Sequence, residues 1–160
     1  MRKEIKVKSI KIIFKKAAGK DIPVLLEIEK SVSGKRTYSP MLTKEEWLEA
    51  LKKNTMIYLL EMSSKIVGEV SYKIKSSDHA YIDGLVVMPE FQGKGIAREA
   101  MKILLKKLKS FKRIDLVTHP ENEIAVNLYK SLGFATKKVI ENYFGDGEPR
   151  LLLVFTKSNI

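Results

Sequence analysis

The sequence predicts an α/β protein: one central mixed, twisted sheet with helices on both faces. Three observations predict it. Short apolar, β-branched runs alternate with stretches of helical periodicity along the whole chain. Three successive strands in the middle are separated only by short polar turns, which makes them antiparallel neighbours. The strands beyond them are separated by helices, which calls for crossover connections.

Each element has a local cause. Ile10, Ile12 and Phe14 alternate with Lys11, Ile13 and Lys15 and predict a first strand. Asp21, followed by Pro23, predicts the capped start of a helix with Val24, Leu25, Ile28 and Val32 on its apolar face. Residues 33–40 form a polar loop. Thr43 and Glu46 read as a capping box for a second helix, with Trp47, Leu48 and Leu51 toward the core. Strands follow at 56–61, 66–74 and 79–88, with turns at Ser63-Ser64-Lys65 and Ser76-Ser77-Asp78. Gly84 inside the third of these predicts a bulge or a close backbone approach. A helix from Ile96 to Lys109 carries Ile96, Ala100, Leu104 and Leu108 on one stripe and Lys102, Lys106 and Lys109 on its wet side. A strand at 113–118 leads to a helix capped by Asn122, bearing Ala125, Leu128, Tyr129 and Leu132 and ended by Gly133. Strands at 134–142 and 151–156, joined through Gly145-Asp146-Gly147, complete the sheet.

Composition bounds the function. With 160 residues, 44% apolar and 31% charged, the chain suits one globular domain at 10–160, preceded by an extension at 1–9. No apolar run approaches a membrane span, and the lysine-interrupted N-terminus lacks a signal-peptide core, so a cytoplasmic protein is expected. Cysteine is absent, which excludes disulfides and thiolate zinc sites. His79 and His119 lack ligand spacing, so no metal is expected. The net charge of +11 suits a polyanionic ligand, but the lysines are spread along the whole chain. A basic nucleic-acid-binding module would need a recognition motif or aromatic interleaving that the sequence lacks, so nucleic acid is not an expected partner.

The chemistry centres on residues 85–98. Leu85, Val86 and Val87 form a buried strand end that Pro89 stops. Gln92, Gly93, Lys94 and Gly95 form a glycine turn, and Ile96, Ala97 and Arg98 open a helix. A helix start presents free N–H groups and a partial positive charge, so this turn is an anion site. The P-loop pattern is absent, and Arg98 stands where the dinucleotide pattern would need glycine.

Gln92-x-x-Gly95-x-Ala97 after Val-Val-x-Pro resembles the acyl-CoA loop of the GNAT N-acetyltransferase superfamily. Asn122-x-x-Ala125-x-x-Leu128-Tyr129-x-x-x-Gly133-Phe134 is similar to that superfamily's second motif, and the element order also matches from residue 10 onward. The resemblance implies acetyl-CoA as acetyl donor, with the pyrophosphate on the loop amides from Gly93 to Arg98. It implies Asn122 on the pantetheine arm, the Val87 N–H on the acetyl carbonyl and Tyr129 as general acid for the leaving thiolate. It implies direct transfer to a primary amine such as a protein or peptide N-terminal α-amine, with a small-molecule amine as the alternative, by a monomer or homodimer. Without cysteine no cysteinyl acyl-enzyme can form. The base is less well defined. Ribosomal-protein alanine acetyltransferases place a glutamate where Val117 stands; other members use an acid at the position of Asp83, the candidate here, on the same strand face as Leu85 and Val87. Glu69 and His119 are further candidates. The missing glutamate leaves a non-catalytic acyl-CoA sensor open. Asn142-Tyr143-Phe144 resembles the tyrosine-bearing peptide groove of N-terminal acetyltransferases, but Pro149-Arg150 departs from it. Tyr143 would line one wall of the groove, and Lys35, Arg36 and Tyr38 the other. No dense acidic cluster is evident to receive a polyamine.

Overall fold

The computed structural model describes residues 10–157; the expected extension at 1–9 lies outside them. A seven-stranded sheet runs in the order β1-β2-β3-β4-β5-β7-β6. Its strands are β1 (Ile13–Lys16), β2 (Met56–Met62), β3 (Lys65–Ser76), β4 (His79–Val87), β5 (Arg113–Thr118), β6 (Ala135–Ile140) and β7 (Arg150–Thr156). The helices are α1 (Ile22–Ser31), α2 (Lys44–Lys52), α3 (Ile96–Lys107) and α4 (Glu123–Ser131). β4 and β5 are parallel and all other neighbours antiparallel.

Two cores flank the sheet. Leu25, Ile28 and Trp47 from α1 and α2 pack with Ile57, Leu59 and Val86 on one face. Ala100, Met101 and Leu104 from α3 and Tyr129 from α4 pack with Val70, Ile82, Val87 and Leu153 on the other. Each fully buried large apolar side chain contributes roughly 1.5–3 kcal/mol. The capping box at Thr43 forms as expected, the Glu46 N–H donating to Thr43 Oγ1 at 3.2 Å. The α4 end forms too: Gly133 takes φ +105°, and the Phe134 N–H reaches back to the Tyr129 carbonyl at 3.1 Å.

Three local expectations need correction. Asp21 does not cap α1 with its side chain; it accepts from the Ala18 N–H at 2.9 Å and closes a 3₁₀ turn before the helix. Leu48 is 43% exposed, because the face of α2 that packs on the core is that of Trp47, Ala50 and Leu51. α3 ends at Lys107, with Leu108 as its cap.

The feature that creates the site is a split in the sheet. β4 pairs with β5 only through His79–Tyr81 and Arg113–Asp115. Beyond Tyr81 the strands part, and the split begins at a bulge. Ser71 pairs with Gly84 but Tyr72 pairs with Ile82, so Asp83 is the extra residue. Gly68 seats the far end of β4: a Cβ there would lie 2.0 Å from the Val86 carbonyl oxygen, so only glycine lets the strands come this close.

Candidate active site

The ladder between β3 and β4 decides which amides of β4 are free. The Met88 N–H donates to the Val67 carbonyl at 2.9 Å, and Val86 lies opposite Glu69. In an antiparallel pair the bonding direction alternates, so Val86 and Met88 turn their N–H groups toward β3. Leu85 and Val87 turn theirs toward the split, where β5 is not paired. The strand end at 85–87 thus contributes two free amides, from Leu85 and Val87. Val86 contributes a buried side chain to the α1–α2 core.

The turn that follows is held from within. Gln92 Nε2 donates to the Val87 carbonyl at 2.9 Å, which bends the loop back on the strand end. Gly93 and Gly95 take φ +77° and +82°, a region where other residues are strained. Gly95 is the N-cap of α3 and no side chain caps that end. The first-turn amides, at Ile96, Ala97 and Arg98, therefore remain available. Outside the turn itself, no atom of the described residues lies within 4 Å of where a Gly93 Cβ would sit, while a Gly95 Cβ would touch Ile10 Cδ1 at 3.4 Å. A free helix start behind two glycines suits an anion such as a pyrophosphate. The Arg98 side chain is engaged elsewhere, donating to Ser131 Oγ at 2.9 Å, and Lys94 lies over the Phe91 ring.

A cavity of about 350 Å³ opens in the split. Tyr129, Asn122 and Thr118 line one wall, with Asp83, Gly84 and Leu85 opposite them and Glu69, Glu29 and Tyr38 toward α1 and α2. Tyr129 is buried, and burial pushes its phenol up to about 12, so it remains a proton donor at neutral pH. Asn122 Oδ1 accepts from the Ala125 N–H at 3.3 Å, so the cap uses its oxygen and leaves its NH₂ for a ligand.

Asp83 does not share a face with Leu85 and Val87. Ile82 and Leu85, three residues apart, both pack in the α3 core, because the bulge turns Asp83 and Gly84 together to the other side. There Asp83 Oδ1 meets Lys73 Nζ at 3.3 Å. The bulge carries Asp83 into the cavity rather than away from it.

The acidic cluster that the sequence did not reveal is also here. Glu69 is 1% exposed and Glu29 3%. Tyr38 donates to Glu29 Oε2 at 2.5 Å, while Glu69 Oε2 has no partner among the described residues. Burial first, then the adjacent Glu29 and Asp83 charges, hold the Glu69 carboxyl well above the usual carboxylate range. Glu29 is raised too, mainly by burial, and the Tyr38 bond partly offsets this. A proton shared between the two carboxyls would satisfy both. The signal for Glu29 was its spacing: Ile22, Leu25 and Glu29 follow i, i+3, i+7, so a carboxylate occupies a core position of α1.

His119 is no proton acceptor. Its Nδ1 already accepts the Glu121 N–H at 3.0 Å, and its Nε2 lies 2.8 Å from Glu148 Oε2. The bond to Nδ1 fixes the proton on Nε2, which donates to the carboxylate. Arg36 bridges Glu148 and Glu121, so this network ties the α1–α2 loop to the loops flanking α4 and β7. Tyr143 does not line the cavity. It lies in a neighbouring cleft, its hydroxyl 3.1 Å from that of Tyr81. Phe144 and Arg150 take the expected place of Tyr143 at the cavity, with the guanidinium 5.0 Å over the Phe144 ring.

The sequence pattern of the acetyltransferase (GNAT) family matches residues 23–134, which spans α1 through the end of α4. The chain belongs to the GNAT acetyltransferase family. An uncharacterized N-acetyltransferase of Methanocaldococcus jannaschii is 28% identical over 153 residues, covering 92% of this chain and 94% of the relative. An N-alpha-acetyltransferase of Sulfurisphaera tokodaii is 24% identical over 122 residues, 67% of this chain and 73% of that one. The fold is shared with the ribosomal-protein-S18-alanine N-acetyltransferase of Escherichia coli at a TM-score of 0.79 and 19% identity, over 94% and 96% of the two chains. It is shared with a GNAT acetyltransferase of Elizabethkingia anophelis with acetyl-CoA bound, at a TM-score of 0.73 and 21% identity, over 94% and 100%. This GNAT protein is an acetyl-CoA-dependent N-acetyltransferase. No helix among the described residues is long and apolar enough to cross a membrane.

Proposed function

We propose that this GNAT acetyltransferase is a cytoplasmic enzyme that acetylates a protein or peptide N-terminal α-amine, and that the reaction takes place in the cavity between β4 and β5. One observation carries the reading: a single cavity has a protonated phenol, Tyr129, on one wall and the acidic groups Asp83, Glu69 and Glu29 on the other. Acetyl transfer to an amine uses one group that takes the amine's proton and another that protonates the leaving sulfur.

Acetyl-CoA supplies the activated acetyl group. The amides from Gly93 to Arg98 would hold its pyrophosphate, and the Asn122 NH₂ would contact its pantetheine arm. The Val87 N–H, free toward the split, donates to the acetyl oxygen and stabilises negative charge there. An α-amine ordinarily titrates near pH ~8 and must lose its proton before it attacks. Asp83 takes that proton, directly or through water, with the buried Glu69 and Glu29 pair behind it. Tyr129 gives its proton to the departing sulfur.

The acidic wall also favours a second reading, a small cationic amine as acceptor, since Asp83 and the charge left on the proton-sharing Glu29 and Glu69 pair attract an ammonium group. A free-thiol release assay against N-terminal peptides, lysine peptides and polyamines separates the two. Release with N-terminal peptides supports the first reading, and release only with polyamines supports the second. Binding of acetyl-CoA without release on any amine would leave a sensor and overturn both.

A further inference from the structure

We propose that the preferred acceptor is an acidic N-terminus: a peptide whose α-amine enters at Asp83 and whose second and third residues carry carboxylates that meet Lys75 and Lys138. This rests on the N-terminal reading above and adds the sequence class that the enzyme selects.

A second cavity, of about 510 Å³, opens beside the first, and the two share Asp83 and Phe144. Lys73, Lys75 and Lys138 line it, with Tyr81 and Tyr143. Its carboxylates are already engaged. Asp83 faces Lys73 at 3.3 Å, and Asp115 is held by Arg113 at 2.7 Å, with His79 3.1 Å away. Lys75 and Lys138 have no ion-pair partner among the described residues. The cleft therefore presents two uncompensated cations. Lys75 Nζ stands 5.5 Å over the Tyr81 ring, and the Tyr81 hydroxyl lies against that of Tyr143, so an aromatic wall backs the charge.

The order of charges selects the occupant. The first cavity sets Asp83, Glu46 and the proton-sharing Glu29 and Glu69 pair against Arg150 and takes a cation; the cleft beyond Asp83 has free cations and takes an anion. A polyamine would meet lysines after its first ammonium group, and a basic peptide would be repelled at the same place. An α-ammonium followed by carboxylates matches both. The placement also fits. Lys75 is the extra residue of a second irregularity in β3, between Ile74 and Ser76, and it lines the same cleft as Lys73, the partner of Asp83. A peptide whose α-amine lies at Asp83 therefore passes Lys75 within its first few residues.

The test compares three peptides of equal length with free N-termini and serine first. Positions two and three carry Asp-Glu, Asn-Gln or Lys-Lys, and a linear diamine is added as a fourth acceptor. Acetylation is followed by mass spectrometry at low and high salt. The expected kcat/KM is about tenfold higher for the acidic than for the neutral peptide at low salt, carried by KM and shrinking as salt screens the lysines. Lys75→Glu combined with Lys138→Glu should bring the acidic-to-neutral ratio to one or below. Acetylation of all three peptides at equal kcat/KM, or an unchanged ratio in the variant, overturns the acidic preference and leaves N-terminal acetylation standing. Acetylation of the diamine alone overturns both.

Discussion

Tyr38, on the loop between α1 and α2, donates its hydroxyl hydrogen to Glu29 Oε2 at 2.5 Å, inside the acidic wall of the cavity. The bond favours the ionised form of Glu29 against the desolvation that raises its carboxyl. It ties the loop between α1 and α2 to the acidic wall of the cavity.

Tyr38→Phe should remove that donor. The expected cost in stability is about 1–2 kcal/mol, because a buried acceptor loses its partner. The Glu29 and Glu69 pair would then ionise at higher pH. The acid limb of the pH–rate profile should move upward, and superimposable limbs for the two proteins would separate the pair from catalysis.

Tyr129→Phe should leave CoA affinity nearly intact by calorimetry while kcat falls by about 10²-fold. Since burial holds the phenol at about 12, the wild type should show no basic limb from this group below pH ~10. Equal kcat for the variant would make Tyr129 a packing residue against Phe134, whose ring lies 5.9 Å away.

Glu69→Gln should raise stability while lowering activity. The folded protein holds the Glu69 proton more tightly than the unfolded chain does, whose carboxyl titrates at about 4.5. Such a group contributes its full stability below the unfolded value and loses it as pH rises through the folded one. The glutamine has no such loss. The variant's gain in Tm should be small at pH 4.5 and on the order of 4 °C at pH 8. An equal gain at both pH values in thermal unfolding would mean that Glu69 does not titrate differently on folding.

The contrast between these residues shows what the sequence carried. Gly95, Asn122 and Tyr129 were legible because strand–turn–helix units are local: capping, glycine turns and helical periodicity place each side chain within a few residues. The acidic wall was not, because it assembles from α1, β3 and β4, and its spacing in sequence says nothing of its proximity. The face of Asp83 was misread for a related reason. Alternation assumes an unbroken ladder, and the bulge signalled by Gly84 inserts one residue at the position in question. Gly68 gave no signal at all, since its need for a missing Cβ comes from the neighbouring strand.

Gly68→Ala should therefore damage the site from a distance. The added methyl meets the Val86 backbone and must push the end of β4 away, which displaces the Val87 N–H. Catalysis should fall by tenfold or more with a Tm loss of several degrees, on the order of 2–3 kcal/mol. Retention of full kcat would place the acetyl oxygen's donor elsewhere.

The decisive measurement is the pH dependence of acetyl-CoA-dependent acetylation of a free N-terminal peptide by the wild type and by Asp83→Asn, read as acetylated product by mass spectrometry. Asparagine keeps the size of Asp83 but cannot take the amine's proton. If Asp83 is the base, the wild type gives acetylated peptide. The variant's rate is then at least tenfold lower at pH 7 and recovers toward the amine's own pKa near ~8, with CoA affinity unchanged. Overlaid pH–rate profiles for the two proteins, or no acetylated peptide with either, would contradict this mechanism.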